Sequence, residues 1–142
     1  MTYDLTRFVK AQKEDYRQAL AEIRAGRKRS HWIWYIFPQV KGLGKSPKAE
    51  YYGIDGLGEA RAYMANDLLR EHLLEISSAL LEIDSDDPTQ VMGYPDDLKL
   101  RSSMTLFSLA TPEYDVFQRV LDKFFSGKKD YRTISLLGIV PE

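Results

Sequence analysis

Apolar residues recur at intervals of three and four along most of this chain, and this helical period constrains the fold more than any other feature. The same spacing runs through Thr6–Ala25, where Asp4 is available as a cap and Gly26 as a stop signal. The clearest stripe, in the segment 67–83, consists of Leu69, Leu73, Ile76, Leu80 and Ile83. Long amphipathic helices are therefore the main expectation for this chain.

Capping residues followed by proline mark further helix starts. Ser46-Pro47, Asp87-Pro88 and Thr111-Pro112 each place a capping side chain before a proline. Helical patterns also cover Leu57–Ala65, Asp96–Leu109 and Tyr131–Leu137. The loops are short and the 142 residues suit one domain, so we predict a single compact all-α domain, residues 1–142, of about seven to nine helices, several of them short.

Two segments, 31–37 and 133–140, are apolar enough to be strands. Neither alternates apolar with polar residues, and two isolated strands would make a poor sheet. We therefore predict that His31–Phe37 forms a short buried helix or turn that ends at Pro38.

Composition excludes several classes of site. With no cysteine and only two histidines, the chain has no disulfide, no thiolate metal site and no histidine-rich metal centre. We expect no metal and no cofactor. The longest apolar run, Trp32–Phe37, is too short to span a membrane. The first ten residues carry charges where a signal peptide would be apolar, so we expect a cytoplasmic protein without a membrane partner.

Charge is segregated along the chain although the net charge is only −1. Residues 1–50 hold 11 basic and 5 acidic side chains, a net of +6, and residues 51–142 have a net of −7. The segment Arg24–Lys48 contains no acid, and Glu82–Asp97 contains no lysine or arginine. Such segregation either binds something anionic or is neutralised within the fold.

The segment 27–39 combines cations and aromatic rings more densely than the rest of the chain. Arginine and lysine bind phosphate, and aromatic faces stack on planar groups. Ser30 is a possible cap for the short helix, which would add backbone N–H groups to the same anion site. We predict ligand-binding roles here for Arg27, Lys28, Arg29, Trp32, Trp34, Gln39 and Lys45. The alternative is that the tryptophans fill the core and the cations form a solvated surface.

The string GLGKS at residues 42–46 is similar to a phosphate-binding P-loop but lacks its first glycine, because Gln39 stands at that position. The chain also offers no strand before it. We expect a turn at Gly42 and Gly44, with Ser46 capping the next helix.

A second polar segment begins at Pro95. Asp96 and Asp97 are candidates for an acid and a base, although carboxylates at a helix start also complement the helix dipole. Lys99 and Arg101 fall on roughly opposite sides of a helix, so the sequence argues against both facing one ligand. Arg101 and Ser102 precede an apolar run and would need polar partners if buried, which makes them further candidates for binding an anion. His31 is the other candidate acid or base, because it titrates near neutral pH.

Several blocks of the sequence together resemble one family: DLTRFVKAQ, EIRAGRKRSHWIWYIFPQ, GLGKS, YYGI, EARAY and PDDLKLRSSMTLF. This is a family of small uncharacterised bacterial proteins, a domain of unknown function, in which some members are labelled calpastatin. The resemblance covers nearly the whole chain and implies a mainly α-helical domain, with no activity and no site residues. The calpastatin label fits poorly, because that inhibitor is disordered and this chain has 12% aromatic residues.

Three functional hypotheses remain open. The first is a domain that binds a small anionic planar ligand, nucleotide-like, with hydrolase or transferase chemistry as a possible addition. The second is a protein-interaction module without catalysis, in which the basic segment meets an acidic partner or the region 82–97 of a second copy. The third, nucleic-acid binding, is disfavoured by the net charge and a pI near 6.1. The sequence does not indicate an oligomeric state.

Overall fold

Nine helices form the regular structure of residues 3–139, the part of the chain that the computed structural model describes. In chain order they are α1 (Thr6–Arg24), α2 (Ile33–Ile36), α3 (Pro47–Tyr51), α4 (Leu57–Ala65), α5 (Asp67–Leu81), α6 (Pro88–Met92), α7 (Asp96–Ala110), α8 (Val116–Phe125) and α9 (Tyr131–Leu136). One isolated parallel bridge joins Val40 to Ile54. The all-α prediction is confirmed for these residues, and Val140, the last residue of the second possible strand, lies outside them.

Two of the three cap-and-proline signals start helices. The Ser46 hydroxyl accepts a hydrogen bond from the Ala49 amide at the start of α3, and the Asp87 carboxylate caps α6 in the same way. The prediction at Thr111-Pro112 is wrong, because α8 begins only at Val116. The Thr111 hydroxyl instead donates to the Phe107 carbonyl at 3.0 Å and closes α7.

The aromatic segment before Pro38 belongs to the core. Trp32, Ile36 and Phe37 are almost fully buried, and α2 is a single short helical turn, as predicted. Trp34 is the exception in this segment and remains partly exposed. The sequence left open whether these residues fill the core or line a cleft: Trp32, Ile33, Ile36 and Phe37 fill the core, whereas Tyr35 is buried but also borders a surface cleft.

Helix α7 lies at the centre of the fold, in contact with α2, α4, α6, α8 and α9. Its buried residues surround the helix axis and include Ser103 and Thr105 together with Leu100 and Phe107. A helix that is enclosed on every side has no polar stripe, and this explains the weak amphipathic pattern of this segment. Its first turns reach the surface beside α9 and the loop after α2.

Ion pairs connect the basic and acidic parts of the chain. Lys28 lies 2.7 Å from Asp96, and Arg7 lies 3.1 Å from Glu59. Part of the charge segregation is therefore neutralised within the fold. Within residues 3–139, no helix combines the length and the apolar character that crossing a membrane requires.

Candidate functional site

A cleft of about 290 Å³ lies where the first turns of α7 and α9 meet the loop after α2. We call it the α7 cleft. Its lining residues are Gln39, Leu43, Gly44, Pro95, Leu98, Lys99, Arg101, Ser102, Asp130 and Arg132. Three cations and one carboxylate thus face a partly apolar space.

Asp130 joins the two helices that form one side of the cleft. Its carboxylate caps α9 by accepting hydrogen bonds from the Thr133 amide and hydroxyl, and it also accepts one from the Ser102 hydroxyl at 2.9 Å. The Asp130 amide donates to the Thr105 hydroxyl on α7 at 2.8 Å. The start of α9, with Arg132 in its first turn, is therefore fixed against α7.

The cations of the cleft differ in how firmly they are held. The Arg101 guanidinium donates from Nε to the Lys128 carbonyl at 2.9 Å and from Nη2 to the Lys129 carbonyl at 2.8 Å. Its Nη1 makes no hydrogen bond to the described residues. The Lys99 ammonium lies 3.6 Å from Asp96. Arg101 is therefore an oriented charge with one nitrogen available to a ligand.

Gln39 is a buried residue whose side chain lines this cleft. The residue is 8% exposed, and its side chain makes no hydrogen bond to another described residue. Residue 44 beside it must be glycine, because a Cβ there would lie 2.6 Å from the Ala49 Cβ; the same Cβ would lie 3.6 Å from Gln39 Nε2. The Gln39 amide thus offers a donor and an acceptor to a ligand in the cleft.

Three of the predicted ligand-binding residues, Gln39, Arg101 and Ser102, line the same cleft. The positions of Lys99 and Arg101 differ from the expectation that they would not face one ligand, because both side chains line the α7 cleft. The cleft follows the exposed first turns of α7, and the two side chains are long enough to reach it from both flanks. Sequence reasoning did not select Lys99 or Arg132, and the capping signal at Asp130 is the feature that could have drawn attention to Arg132.

The basic loop between α1 and α2 is organised by an acid that sequence reasoning missed. The Glu22 carboxylate accepts hydrogen bonds from the amides of Arg29 at 2.7 Å and Ser30 at 2.9 Å. It also accepts from the Ser30 hydroxyl at 2.6 Å and from Trp32 Nε1 at 3.0 Å. Burial disfavours the charged carboxylate, but these hydrogen bonds outweigh burial and lower the pKa of Glu22 to about 2. The amides of Arg29 and Ser30 in this loop are thus already paired within the fold.

The other predicted residues of this loop lie away from the α7 cleft. Trp32 is 1% exposed, which corrects the expectation that it stacks on a ligand. Lys28 is paired with Asp96 and lies over the Trp32 ring, 4.9 Å from its centroid. Arg27 and Arg29 are exposed, and Ser30 does not cap α2, whose N-cap is Trp32 without a side-chain bond.

Lys45 and Trp34 complete the predicted set. Lys45 is exposed on the loop after Gly44. The Trp34 ring has the Lys48 ammonium 4.7 Å and the Lys99 ammonium 5.3 Å from its centroid. Its indole N–H is shielded from solvent and has no partner among the described residues. Trp34 therefore adjoins the α7 cleft through Lys99.

The three candidate catalytic residues are not brought together. His31 is exposed, and its backbone carbonyl accepts a long contact from the Tyr35 hydroxyl at 3.5 Å. Asp96 bridges Lys28 and Lys99, whereas buried Asp97 accepts from the Thr89 hydroxyl at 2.7 Å. The adjacent carboxylates thus have separate partners. Across residues 3–139, no three acidic or histidine side chains cluster so as to hold a metal ion.

Comparisons with known proteins agree with this architecture. A family model described as "Protein of unknown function (DUF1810)" matches residues 2–137. The crystal structure of the conserved hypothetical protein Rv1873 from Mycobacterium tuberculosis is similar, with a TM-score of 0.94 and 47% identity. The match covers 97% of this chain and 99% of that one. The comparison with curated proteins gave no match.

Proposed function

We propose that this chain, which belongs to the DUF1810 family, binds a small anionic and planar ligand of the nucleotide class, with the anionic group in the α7 cleft. The observation that carries the proposal is that three cations line this cleft and that one of them, Arg101, is held in place through Nε and Nη2 and keeps Nη1 free of the described residues. The Gln39 side chain, which has no hydrogen-bond partner among the described residues, adds a donor and an acceptor to the lining.

The charge of the cleft favours an anion. Lys99, Arg101 and Arg132 outnumber the single carboxylate of Asp130, and that carboxylate already accepts hydrogen bonds from Ser102 and Thr133. The free Nη1 of Arg101 gives a directed donor, and charge-assisted hydrogen bonds of this kind are stronger than neutral ones. Ligand clefts usually exceed about 300 Å³, so this cleft suits the phosphoryl end of a ligand better than a whole nucleotide.

We propose binding without assigning a reaction. His31, Asp96 and Asp97 do not line the α7 cleft, and both aspartates are engaged with neighbouring side chains. A general acid or base must come within hydrogen-bond reach of the group it serves. The hydrolase or transferase hypothesis therefore gains no support from the positions of these residues.

A thermal-shift screen tests the proposal with nucleotides, dinucleotides, sugar phosphates and inorganic pyrophosphate. A ligand at a hundred times its dissociation constant adds about 2.7 kcal/mol, which raises the midpoint by several degrees. We expect a shift with at least one phosphorylated compound. No shift with any compound of the screen would contradict the proposal.

Two variants locate the site. Arg132→Ala removes an exposed cation of the cleft, and we expect it to weaken binding roughly fivefold, equivalent to about 1 kcal/mol. Arg119→Ala is the matched control, because Arg119 is an exposed arginine on α8 that does not line the cleft. Gln39→Leu removes the amide and is expected to weaken the same ligands. Equal affinity in all three variants would place the site elsewhere.

The second candidate function is a protein-interaction module, favoured by the exposed apolar side chains next to this cleft. Tyr94, Leu98, Tyr131 and Leu136 are each at least 48% exposed and lie on segments that border it. Light scattering at low and high salt tests for pairing of copies. A dimer that salt disrupts would support contact between the basic residues and the acidic region of a second copy, whereas a monomer at every salt concentration leaves only a foreign partner.

A further inference from the structure

A second cleft is connected to Trp34 through Lys48, and nothing in the proposed function uses it. This space of about 310 Å³ between α1, α2 and α3 is lined in part by Tyr35, Tyr51 and Tyr52, and we call it the tyrosine cleft. The rings form a connected set: Tyr35 and Tyr52 have centroids 5.1 Å apart, and Tyr51 meets Tyr52 edge-on at 4.8 Å. Tyr51 is 61% exposed, so its ring is open to a ligand.

The two clefts adjoin the same indole. Lys99 lines the α7 cleft and Lys48 lines the tyrosine cleft, and both ammonium groups lie within about 5 Å of the centroid of the Trp34 ring. Lysine side chains are long and flexible, so both can reach one diphosphate group placed along this indole. A single ligand could therefore extend from one cleft to the other.

The charges of the clefts are unequal. The α7 cleft has three cations and one capped carboxylate, whereas the tyrosine cleft has the cations Arg7, Lys10 and Lys48 beside the carboxylates of Glu14 and Asp15. Arg7 is already paired with Glu59 at 3.1 Å, so the charges that remain in the tyrosine cleft balance. Asp15 accepts a hydrogen bond from the Tyr35 hydroxyl, and its other oxygen remains an acceptor. Carboxylates repel phosphate but accept hydrogen bonds from hydroxyl and amino groups, and exposed tyrosine rings stack on planar bases. The tyrosine cleft thus has the chemistry for a nucleoside and the α7 cleft the chemistry for its phosphates.

We propose that the ligand is a nucleoside diphosphate, or a molecule containing one, with its base and sugar in the tyrosine cleft and its phosphates directed past Trp34 to the α7 cleft. This inference rests on the proposed function, because it assigns the planar part of the ligand whose anionic part the α7 cleft binds. The two spaces together offer roughly 600 Å³, in the middle of the usual range for ligand sites.

Calorimetry of the full chain with inorganic pyrophosphate and with ADP, GDP, CDP and UDP tests the inference. We expect at least one nucleoside diphosphate to bind about tenfold or more tightly than pyrophosphate, because stacking of a base adds that much affinity. Tyr51→Ala is expected to abolish this gain and to leave pyrophosphate binding unchanged. Tyr51→Phe keeps the ring and is expected to retain the gain, and Arg132→Ala weakens both kinds of ligand.

The outcomes separate the two proposals. Equal affinity for pyrophosphate and all four nucleoside diphosphates, or a gain that survives Tyr51→Ala, would overturn the inference and leave anion binding in the α7 cleft intact. Binding that is lost equally for both ligand types in Tyr51→Ala would also overturn it, because Tyr51 would then support the fold and not the base. If none of the five compounds binds, the inference fails, and the proposed function fails with it only when the dinucleotides and sugar phosphates of the thermal-shift screen also give no shift.

Discussion

The Glu22 side chain organises the whole loop between α1 and α2. It lies two residues before the acid-free segment 24–48, and its carboxylate accepts hydrogen bonds from both backbone and side-chain donors of that segment. Composition alone makes the loop a candidate anion site. In the structure that anion is the Glu22 carboxylate itself, in the last turns of α1. It lies seven and eight residues before the backbone amides of Arg29 and Ser30 that it binds.

The depressed pKa of Glu22 leads to a prediction about acid stability. Its folded pKa of about 2 lies below the ordinary glutamate value of 4.5, so ionised Glu22 stabilises the fold fully above pH 4.5. This contribution is lost as the pH falls from 4.5 towards 2. We expect Glu22→Ala to lower the free energy of unfolding by about 3 kcal/mol at neutral pH, because buried donors lose a charged acceptor.

Denaturant unfolding of the wild type and of Glu22→Ala across this pH range measures the effect. The difference between the two proteins should shrink with acidification. Glu14→Ala serves as control, since Glu14 is exposed on the same helix. A difference that stays constant down to pH 2 would show that Glu22 contributes through packing and not through its charge.

At the scale of the helices, Asp130 at the start of α9 has two opposite effects on ligand binding in the α7 cleft. Asp130 caps α9 and fixes it to α7, yet its charge repels an anion in the α7 cleft. Asp130→Ala should lower the free energy of unfolding by about 1–2 kcal/mol, and it should also weaken binding because Arg132 loses its fixed position. Asp130→Asn keeps a capping acceptor without the charge, so binding should be unchanged or stronger.

Chemical unfolding together with titration of a ligand found in the screen distinguishes these effects. If Asp130→Ala binds as tightly as Asp130→Asn, the cap does not position Arg132. If both variants bind more weakly than the wild type, the carboxylate contacts the ligand directly.

Helix positions were predictable because their signals are local. The expected segments Leu57–Ala65 and Tyr131–Leu137 agree with α4 and α9 to within one residue, since hydrophobic spacing and stop signals act within a few turns. Thr111-Pro112 failed because a threonine hydroxyl can close one helix as readily as it can cap the next. The choice depends on the surrounding core, which the local sequence does not encode.

At the scale of the whole molecule, the α7 cleft depends on contacts between residues far apart in the chain. Arg101 and Ser102 could be selected from the sequence because polar residues beside apolar runs need partners, and Gln39 because it ends the cationic and aromatic segment 27–39. Lys99 and Arg132 could not, because only the docking of α9 on α7 and of the loop after α2 brings them together. The two tryptophans illustrate the same limit. The sequence makes Trp32 and Trp34 equal candidates for ligand binding, but the packing buries Trp32 and leaves Trp34 partly exposed.

The distribution of ion pairs predicts a weak response of stability to salt. The pairs Lys28–Asp96 and Arg7–Glu59 are shielded from solvent, whereas pairs such as Arg24–Glu75 are exposed and contribute little. Raising NaCl from about 0.05 M to about 0.5 M should change the free energy of unfolding by less than about 1 kcal/mol, because screening acts mainly on exposed charges. Urea unfolding at both concentrations measures this, and a loss of several kcal/mol would mean that long-range attraction between the two parts of the chain holds the fold together.

The hydrogen bonds between Glu22 and the loop before α2 affect the rate of hydrogen exchange as well as the stability of the fold. The amides of Arg29 and Ser30 can exchange their hydrogens with solvent only when the carboxylate releases them, and the same release frees the indole of Trp32 in the core. We therefore expect these two amides to exchange more slowly than the amides of an ordinary surface loop, which hydrogen-exchange measurements check.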